Sequence, residues 1–263
     1  MLIAQITDMH IRRKGDLLHH MIHTGRELRR CIAAINALPV PPAFVVATGD
    51  LVDRGKRKEY RRLRKILAGL SVPCFLVVGN HDDRESLRET FPEHHYLPRG
   101  GPLSYVVETR PVRLVALDTV RPGKAHGELD SGRLAWLDAR LREAPATPTL
   151  IAMHHPPFAT GAGPLDAKPL KGRDALAAII AAHPQVVRLI SGHVHRALEV
   201  PFAGTIGSTA PSTSHQLVID RDANHSYSLR LVRPAFALHH WTGRTMEASV
   251  HQANADRILL AVS

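Results

Sequence analysis

From Leu2 to Ser191 the chain alternates short apolar runs of strand type with stretches whose apolar residues recur at helical spacing. Strands are expected at 2–7, 43–48, 74–78, 103–109, 112–118, 149–153 and 186–191. Helices are expected over about 25–38, 58–70, 131–142 and 174–183, with a short one after Asp83. In the second helix Tyr60, Leu63, Ile66, Leu67 and Leu70 form the apolar stripe, so the Lys and Arg between 56 and 65 read as its solvated face. Ser131 is the expected N-cap of the third. This alternation builds α/β architecture. Beyond about Val200 the helical period is lost, and strand candidates follow at 204–207, 216–220, 226–232 and 235–241. The expected organisation is a core over residues 1–200 and a β-rich segment over 201–263. In that segment Phe236, Leu238 and Trp241 complete a sheet or a subunit contact.

Composition narrows the function classes. At 263 residues, 44% hydrophobic and 22% charged, the chain has the make-up of a globular domain and not of a disordered or fibrous one. No apolar run approaches the length of a membrane span, and the N-terminus turns polar at Asp8 before a secretory h-region could form, so a cytoplasmic protein without a membrane partner is expected. Cys31 and Cys74, among apolar neighbours, read as buried hydrophobes. The formal charge of +10 draws anions, and by itself it does not separate nucleic acid from small phosphate esters.

The 18 histidines are the compositional anomaly, and six of them stand in loops that directly follow predicted strands. These loops are Asp8-Met9-His10, Gly49-Asp50-Leu51-Val52-Asp53-Arg54-Gly55, Gly79-Asn80-His81-Asp82, His154-His155-Pro156-Pro157 and Gly192-His193-Val194-His195. In an extended segment residues i and i+2 project to one side, so Asp8 and His10 are expected to converge on a cation, and His193 and His195 share the same i, i+2 relation. Gly49 lets the backbone come close, and Asp50 offers two oxygens that can bridge two metals. Mixed imidazole, amide and carboxylate donors suit Fe, Mn, Zn or Co better than the oxygen cages of Ca or Mg. Two-metal phosphoryl hydrolysis needs such a set: cations about 3.5–4 Å apart clamp the attacking and leaving oxygens.

In this order, each after a predicted strand, the five motifs resemble those of the calcineurin-like metallophosphoesterase superfamily, over roughly residues 1–200. The His154-His155-Pro156-Pro157 form and the Ser212-Thr213-Ser214-His215-Gln216 stretch more narrowly resemble the class III cyclic nucleotide phosphodiesterases and the bacterial glycerophosphodiesterases. The resemblance implies two packed mixed β-sheets flanked by helices, with a β-rich C-terminal extension. It implies that Asp8, His10 and His195 hold a first metal, that Asn80, His154 and His193 hold a second, and that Asp50 bridges them. His81 would face the substrate as the catalytic group, assisting the leaving oxygen or stabilising charge on the phosphoryl group, with Asn80 and His215 as further substrate contacts. The implied activity is dinuclear metal-dependent hydrolysis of a small diester, a cyclic nucleotide or a glycerophosphodiester, by attack of metal-bound hydroxide. The extension would cap the site or mediate dimerisation, so a homo-oligomer, dimer or higher, is expected.

Other readings stay open. A nuclease of the same superfamily suits the +10 charge, but the tail is short for a DNA-binding appendage, so nucleic acid is not the expected partner. A phosphomonoesterase uses the same motifs. A non-catalytic interaction protein would be expected to have lost ligands, and none is missing here. The segment from Gly49 to Gly55 also resembles serine/threonine protein phosphatases, in which the matching Arg contacts phosphate. The rest of their pattern is not evident, which leaves Arg54 outside the expected set. Asp53 is expected to cap a helix or orient His10, Asp82 to cap or hydrogen-bond nearby, and His155 to pack locally. His19, His20, His23, His94, His95, His239 and His240 read as surface residues, the first three at the rim of the site.

Overall fold

A computed structural model describes residues 1–219 and 227–253; the expected strand ends at Asp220 and Ser226 lie outside the described residues. The chain runs β1 (Leu2–Ile6), α1 (Thr24–Asn36), β2 (Phe44–Thr48), α2 (Arg57–Leu67), β3 (Cys74–Val77), α3 (Arg84–Thr90), β4 (Tyr105–Val107), β5 (Arg113–Leu117), α4 (Ser131–Arg142) and β6 (Thr149–Met153). It continues through α5 (Arg173–Ala181), β7 (Val186–Ser191), β8 (Leu198–Phe202), β9 (Thr205–Thr209), β10 (His215–Ile219), β11 (Tyr227–Leu231), β12 (Ala235–Trp241) and β13 (Met246–Gln252).

Two mixed sheets pack face to face, with strand orders β13-β12-β1-β2-β3 and β4-β5-β6-β7-β9-β8, and β10 and β11 form a separate hairpin. The runs of β2, β5 and β6 are buried throughout because both faces of each sheet are covered, which is why they read as continuous apolar segments. In the second sheet Leu114, Ala116, Leu150, Ala152 and Ile190 face the first sheet, while Val115, Leu117, Ile151, Met153 and Leu189 pack on α4 and α5 through Leu137, Leu141, Leu176 and Ile180. On the far side of the first sheet, Leu28, Cys31 and Ile35 of α1 join Tyr60, Leu63 and Ile66 of α2. The fold is therefore α/β, with two large mixed sheets flanked by helices and β-rich strands at the C-terminal end.

Strands β1, β2 and β3 are parallel, as are β5, β6 and β7. The five motif loops follow β1, β2, β3, β6 and β7, so all leave the carboxyl ends of parallel strands, where open α/β sheets collect ligands.

Local details differ from the sequence reading. The cap of α4 is Asp130, whose carboxylate accepts from the Arg133 N–H, and Ser131 is already helical. Strands β8 and β13 were not expected. β8 carries Pro201, which an edge strand tolerates, and β13 has few apolar residues because one of its sides is an open edge. β12 lies antiparallel to β1 and buries Phe236, Leu238 and Trp241.

Arg188 ties the two sheets together. Fully buried on β7, it donates through Nε and Nη2 to the Met246 carbonyl of β13, at 3.1 and 2.6 Å, and its Nη1 bonds Glu199 of β8. Arg188→Met is expected to lower unfolding free energy by about 2–4 kcal/mol, since charged hydrogen bonds to a buried carbonyl are lost. A denaturant midpoint unchanged from the parent chain would show that the clamp contributes nothing.

Candidate metal centre

The ends of β1, β2 and β7 are held level by one buried amide. Gln5 donates through Nε2 to Thr48 Oγ1 at 2.8 Å and to the Ser191 carbonyl at 2.9 Å, while its Oε1 accepts from His239 Nε2 at 2.9 Å. His239 is thus buried beneath the site and not on the surface, because an unbonded Gln5 oxygen between two sheets would be costly. Above this level the loops touch. The Asp8 N–H donates to Gly49 O at 3.0 Å and the His10 N–H to Asp50 O at 2.9 Å. A Cβ on Gly192 would lie 2.0 Å from Thr7 Oγ1, and one on Gly79 would lie 2.3 Å from the Asp50 backbone nitrogen, so both positions require glycine for close approach.

Asp8, His10, Asp50, His193 and His195 all have positive φ, between 43° and 72°. Each such conformation costs of order 1–3 kcal/mol outside glycine, less for Asp and His, which tolerate it best. Asp8 and His10 turn toward one cluster, and His193 and His195 toward separate ones, through these left-handed turns and not through the extended alternation that the sequence suggested.

The side chains form two adjoining groups. Asp8, His10, Asp50 and His195 make the first: His10 Nε2 lies 3.3 Å from His195 Nε2 and 3.7 Å from Asp50 Oδ2, and His195 Nε2 lies 3.5 Å from Asp8 Oδ1. In the second, His154 Nε2 lies 3.1 Å from Asn80 Oδ1 and 3.4 Å from Asp50 Oδ1, and the His154 and His193 ring centroids are 5.0 Å apart. Asp50 directs one oxygen to each group. Donors around one cation at bonds of about 2.0–2.2 Å stand about 3.3–3.6 Å apart if tetrahedral, so these separations suit a shared metal. Both His10 Nδ1 and His195 Nδ1 are buried without a hydrogen-bond partner among the described residues.

The electrostatics agree with such a donor set. Burial holds His10 and His193 down to about 3 and His195 well below its usual value, which leaves neutral imidazoles with free lone pairs. Burial opposes ionisation of Asp50, but His154, His81 and His10 outweigh it and keep the carboxylate well below its ordinary range. Burial likewise disfavours a charged His154, yet Asp50 and Asp8 raise it to about 9, so this spot favours positive charge. Burial raises Asp8 to about 7, partly offset by His154.

Neighbouring residues complete the picture. Thr7 Oγ1 donates to Asp8 Oδ2 at 2.9 Å, Ser212 Oγ to the Asp8 carbonyl at 2.8 Å, and the Thr48 carbonyl faces His154 Nδ1 at 2.9 Å. The sequence offered no signal for Thr7 or Thr48 beyond their places before Asp8 and Gly49. Asp82 is not a helix cap; that role is Asp83's. The Asp82 carboxylate instead accepts from the Gly79, Leu51 and Val52 amides and from Tyr60 Oη, joining the loops of Asp50 and Asn80. Asp53 pairs with Arg12 at 2.6 Å and lies 3.7 Å from His10 Nδ1, while Arg54 is exposed beside it. His155 uses both ring nitrogens, with Thr119 Oγ1 at 2.7 Å and Ala125 O at 3.1 Å. His81 Nδ1 lies 2.8 Å from the Asp53 carbonyl, its Nε2 lies 3.9 Å from Asp50 Oδ2, and its side chain is 40% exposed. His215 is buried, with its ring 4.5 Å from that of His195 and 5.6 Å from that of His10. His19, His20, His23, His95 and His240 are exposed, and His94 is half-buried against Tyr96.

A family model described as calcineurin-like phosphoesterase matches residues 1–197. The chain is 35% identical over 243 residues to a probable glycerophosphodiester phosphodiesterase GpdQ of Arcobacter nitrofigilis, covering 92% of this chain and 89% of that one. It is 28% identical over 214 residues to the 3',5'-cyclic adenosine monophosphate phosphodiesterase CpdA of Escherichia coli K12, covering 81% and 76%. Among solved structures, a dimetal phosphatase from Danio rerio superposes with a TM-score of 0.63 at 17% identity, over 97% of this chain and 99% of that one.

Proposed function

The chain belongs to the calcineurin-like phosphoesterase family, and from that premise we propose that it hydrolyses small phosphodiesters, glycerophosphodiesters ahead of cyclic nucleotides, at the cluster around Asp50. It is a metal-dependent phosphodiesterase of that family. The ranking of substrates rests on coverage, a glycerophosphodiesterase relative matching at 35% identity over 92% of this chain and a cyclic nucleotide phosphodiesterase relative at 34% over 81%. The observation that carries the reading is the Asp50 carboxylate, placed with one oxygen toward each group of donors.

Asp8, His10 and His195 would hold one cation and Asn80, His154 and His193 another, with Asp50 common to both; Fe, Mn, Zn or Co suits these donors. Two bound cations supply an activated water and neutralise charge on the phosphoryl oxygens. The chain's own groups do the rest. Thr7 and the His193 amide, 3.0 Å from Asp8 Oδ2, hold the Asp8 carboxylate in one orientation. His81 donates from Nδ1 to the Asp53 carbonyl, which fixes its ring and leaves Nε2 to carry a proton toward the departing oxygen. His215, beside His195, borders the same space and contacts the substrate. Within the β-rich segment β12 and β13 extend the first sheet, and the segment would also cap the site or mediate dimerisation, with a homo-oligomer, dimer or higher, as the expected assembly. No helix among the described residues is long and apolar enough to cross a membrane, which supports a cytoplasmic address.

Purified protein loaded with Mn or Zn is expected to hydrolyse bis-p-nitrophenyl phosphate, and a panel of glycerophosphodiesters, cyclic AMP and cyclic GMP then ranks the natural classes. A metal-loaded chain inert toward bis-p-nitrophenyl phosphate would sink the reading.

A further inference from the structure

Against His193, beside the loop of residues 154–157, the surface does not close. A throat of about 50 Å³ is lined by His155, His193, Phe158 and His126, and by Asp166, whose carboxylate is taken up by the Thr160 and Ala162 amides and by Thr160 Oγ1. It shares His126, Lys168, Leu170 and Arg173 with an open chamber of about 540 Å³, to whose wall Arg121 and Lys171 add two further cations. The walls are fixed. Lys171 donates its N–H to the Gly127 carbonyl at 3.1 Å and accepts from the Leu129 N–H at 2.9 Å, which pins its loop to residues 127–129. A Cβ on Gly127 would stand 2.6 Å from the His155 ring, so this loop packs directly on the histidine that touches His193.

The chamber is electropositive beyond what its acids offset. Arg121, Lys168, Lys171 and Arg173 face one lining acid, Asp174, whose side chain is 98% exposed and lies 3.6 Å from Arg173. Arg121 is 3.3 Å from Glu128, whereas Lys168 and Lys171 have no ion-pair partner among the described residues. Burial, then Arg121, Lys171 and Lys168, hold the His126 imidazole below its usual value, as a positive local potential requires.

We propose that this chamber is a subsite for a negatively charged group on one ester arm of the substrate, a carboxylate or a second phosphate, reached through the throat. The proposal rests on the diesterase reading and names the kind of diester that reading leaves open. The throat has room for only a few waters, so it passes a short acyclic chain and not a ring. Lys168 and Lys171 then give the anion its two unpaired partners, and these charges lie in a concave site where their field is focused.

The test compares propyl p-nitrophenyl phosphate with its 2-carboxyethyl and 2-phosphoethyl counterparts, which share a leaving group, on the full metal-loaded protein at low salt. The charged arms are expected to raise kcat/KM about tenfold, chiefly through KM, with the advantage shrinking as salt is added. In the Lys168→Gln/Lys171→Gln double variant the ratio of charged to neutral arm is expected to fall to about one. A second readout independent of turnover is the calorimetric Kd of the methyl diesters carrying the same arms, for which the same ratios are expected. Equal kcat/KM and equal Kd for charged and neutral arms, or a preference that survives in the double variant, overturns the subsite. If the propyl compound is not turned over by any form, the diesterase reading fails, and the Kd ratios still decide the chamber.

Discussion

Asp50→Ala is expected to lower kcat on bis-p-nitrophenyl phosphate by about 10⁴-fold or more, roughly 5 kcal/mol at 1.36 kcal/mol per decade, and to leave the dialysed protein without its metals. The magnitude follows from position. Asp50 is buried, supplies an oxygen to each donor group, and accepts the His81 N–H at 2.9 Å. Removing it takes away the carboxylate that stands 3.4 Å from His154 Nε2, and it leaves the imidazoles of His10 and His154 without their principal negative neighbour. Asp50→Asn keeps an oxygen for the His81 amide but no charge, and is expected to lose metal as well. Turnover and metal content are measured on the same sample. Near-parental turnover in either variant, or full metal content in Asp50→Ala, would remove Asp50 from the centre of the mechanism.

His81→Ala is expected to behave differently, with kcat falling about 10²–10³-fold while metal content stays at the parental ratio. His81 is anchored by Asp53 O, has an exposed Nε2, and belongs to neither donor group around Asp50. Burial disfavours its charge, but Asp50 and the Asp53 carbonyl outweigh that and raise its pKa. The acid form is therefore the active one below that pKa, and rate is lost as pH rises through it. Cations at Asp50 take away part of this lift, so the alkaline limb of kcat is expected to lie at lower pH than the metal-free chain implies, and to disappear in His81→Ala. Loss of metal in this variant, or an alkaline limb that persists, would assign His81 to structure.

Much of the site is legible in the sequence because its chemistry is carried by residue type and order. Asp8, Asp50, Asn80, His154 and His193 each stand directly beyond a strand that apolar runs announce, and the fold brings those strand ends to one place. The backbone that aims the side chains is not legible. Nothing in Asp8-Met9-His10 announces two left-handed residues, because Asp and His adopt that conformation only where the surrounding contacts enforce it. Long-range bonds are equally invisible: His239 looks like half of a surface pair until Gln5 meets it from a strand over two hundred residues away. Strand β13 escapes notice since its pairing with β12 is satisfied through backbone, with little apolar pattern to mark it.

The pairing of β1 with β12, with Leu2 opposite His240, also sets an order of events during synthesis. Asp8 and His10 emerge more than two hundred residues ahead of β12, so one edge of their strand stays unpaired until residues 235–241 follow. An open central strand invites the wrong neighbour, and non-local pairings of this kind form slowly. The nascent chain therefore carries most of the candidate ligands long before it can hold them in register. Capture of a cation in the native arrangement follows the docking of β12 on β1.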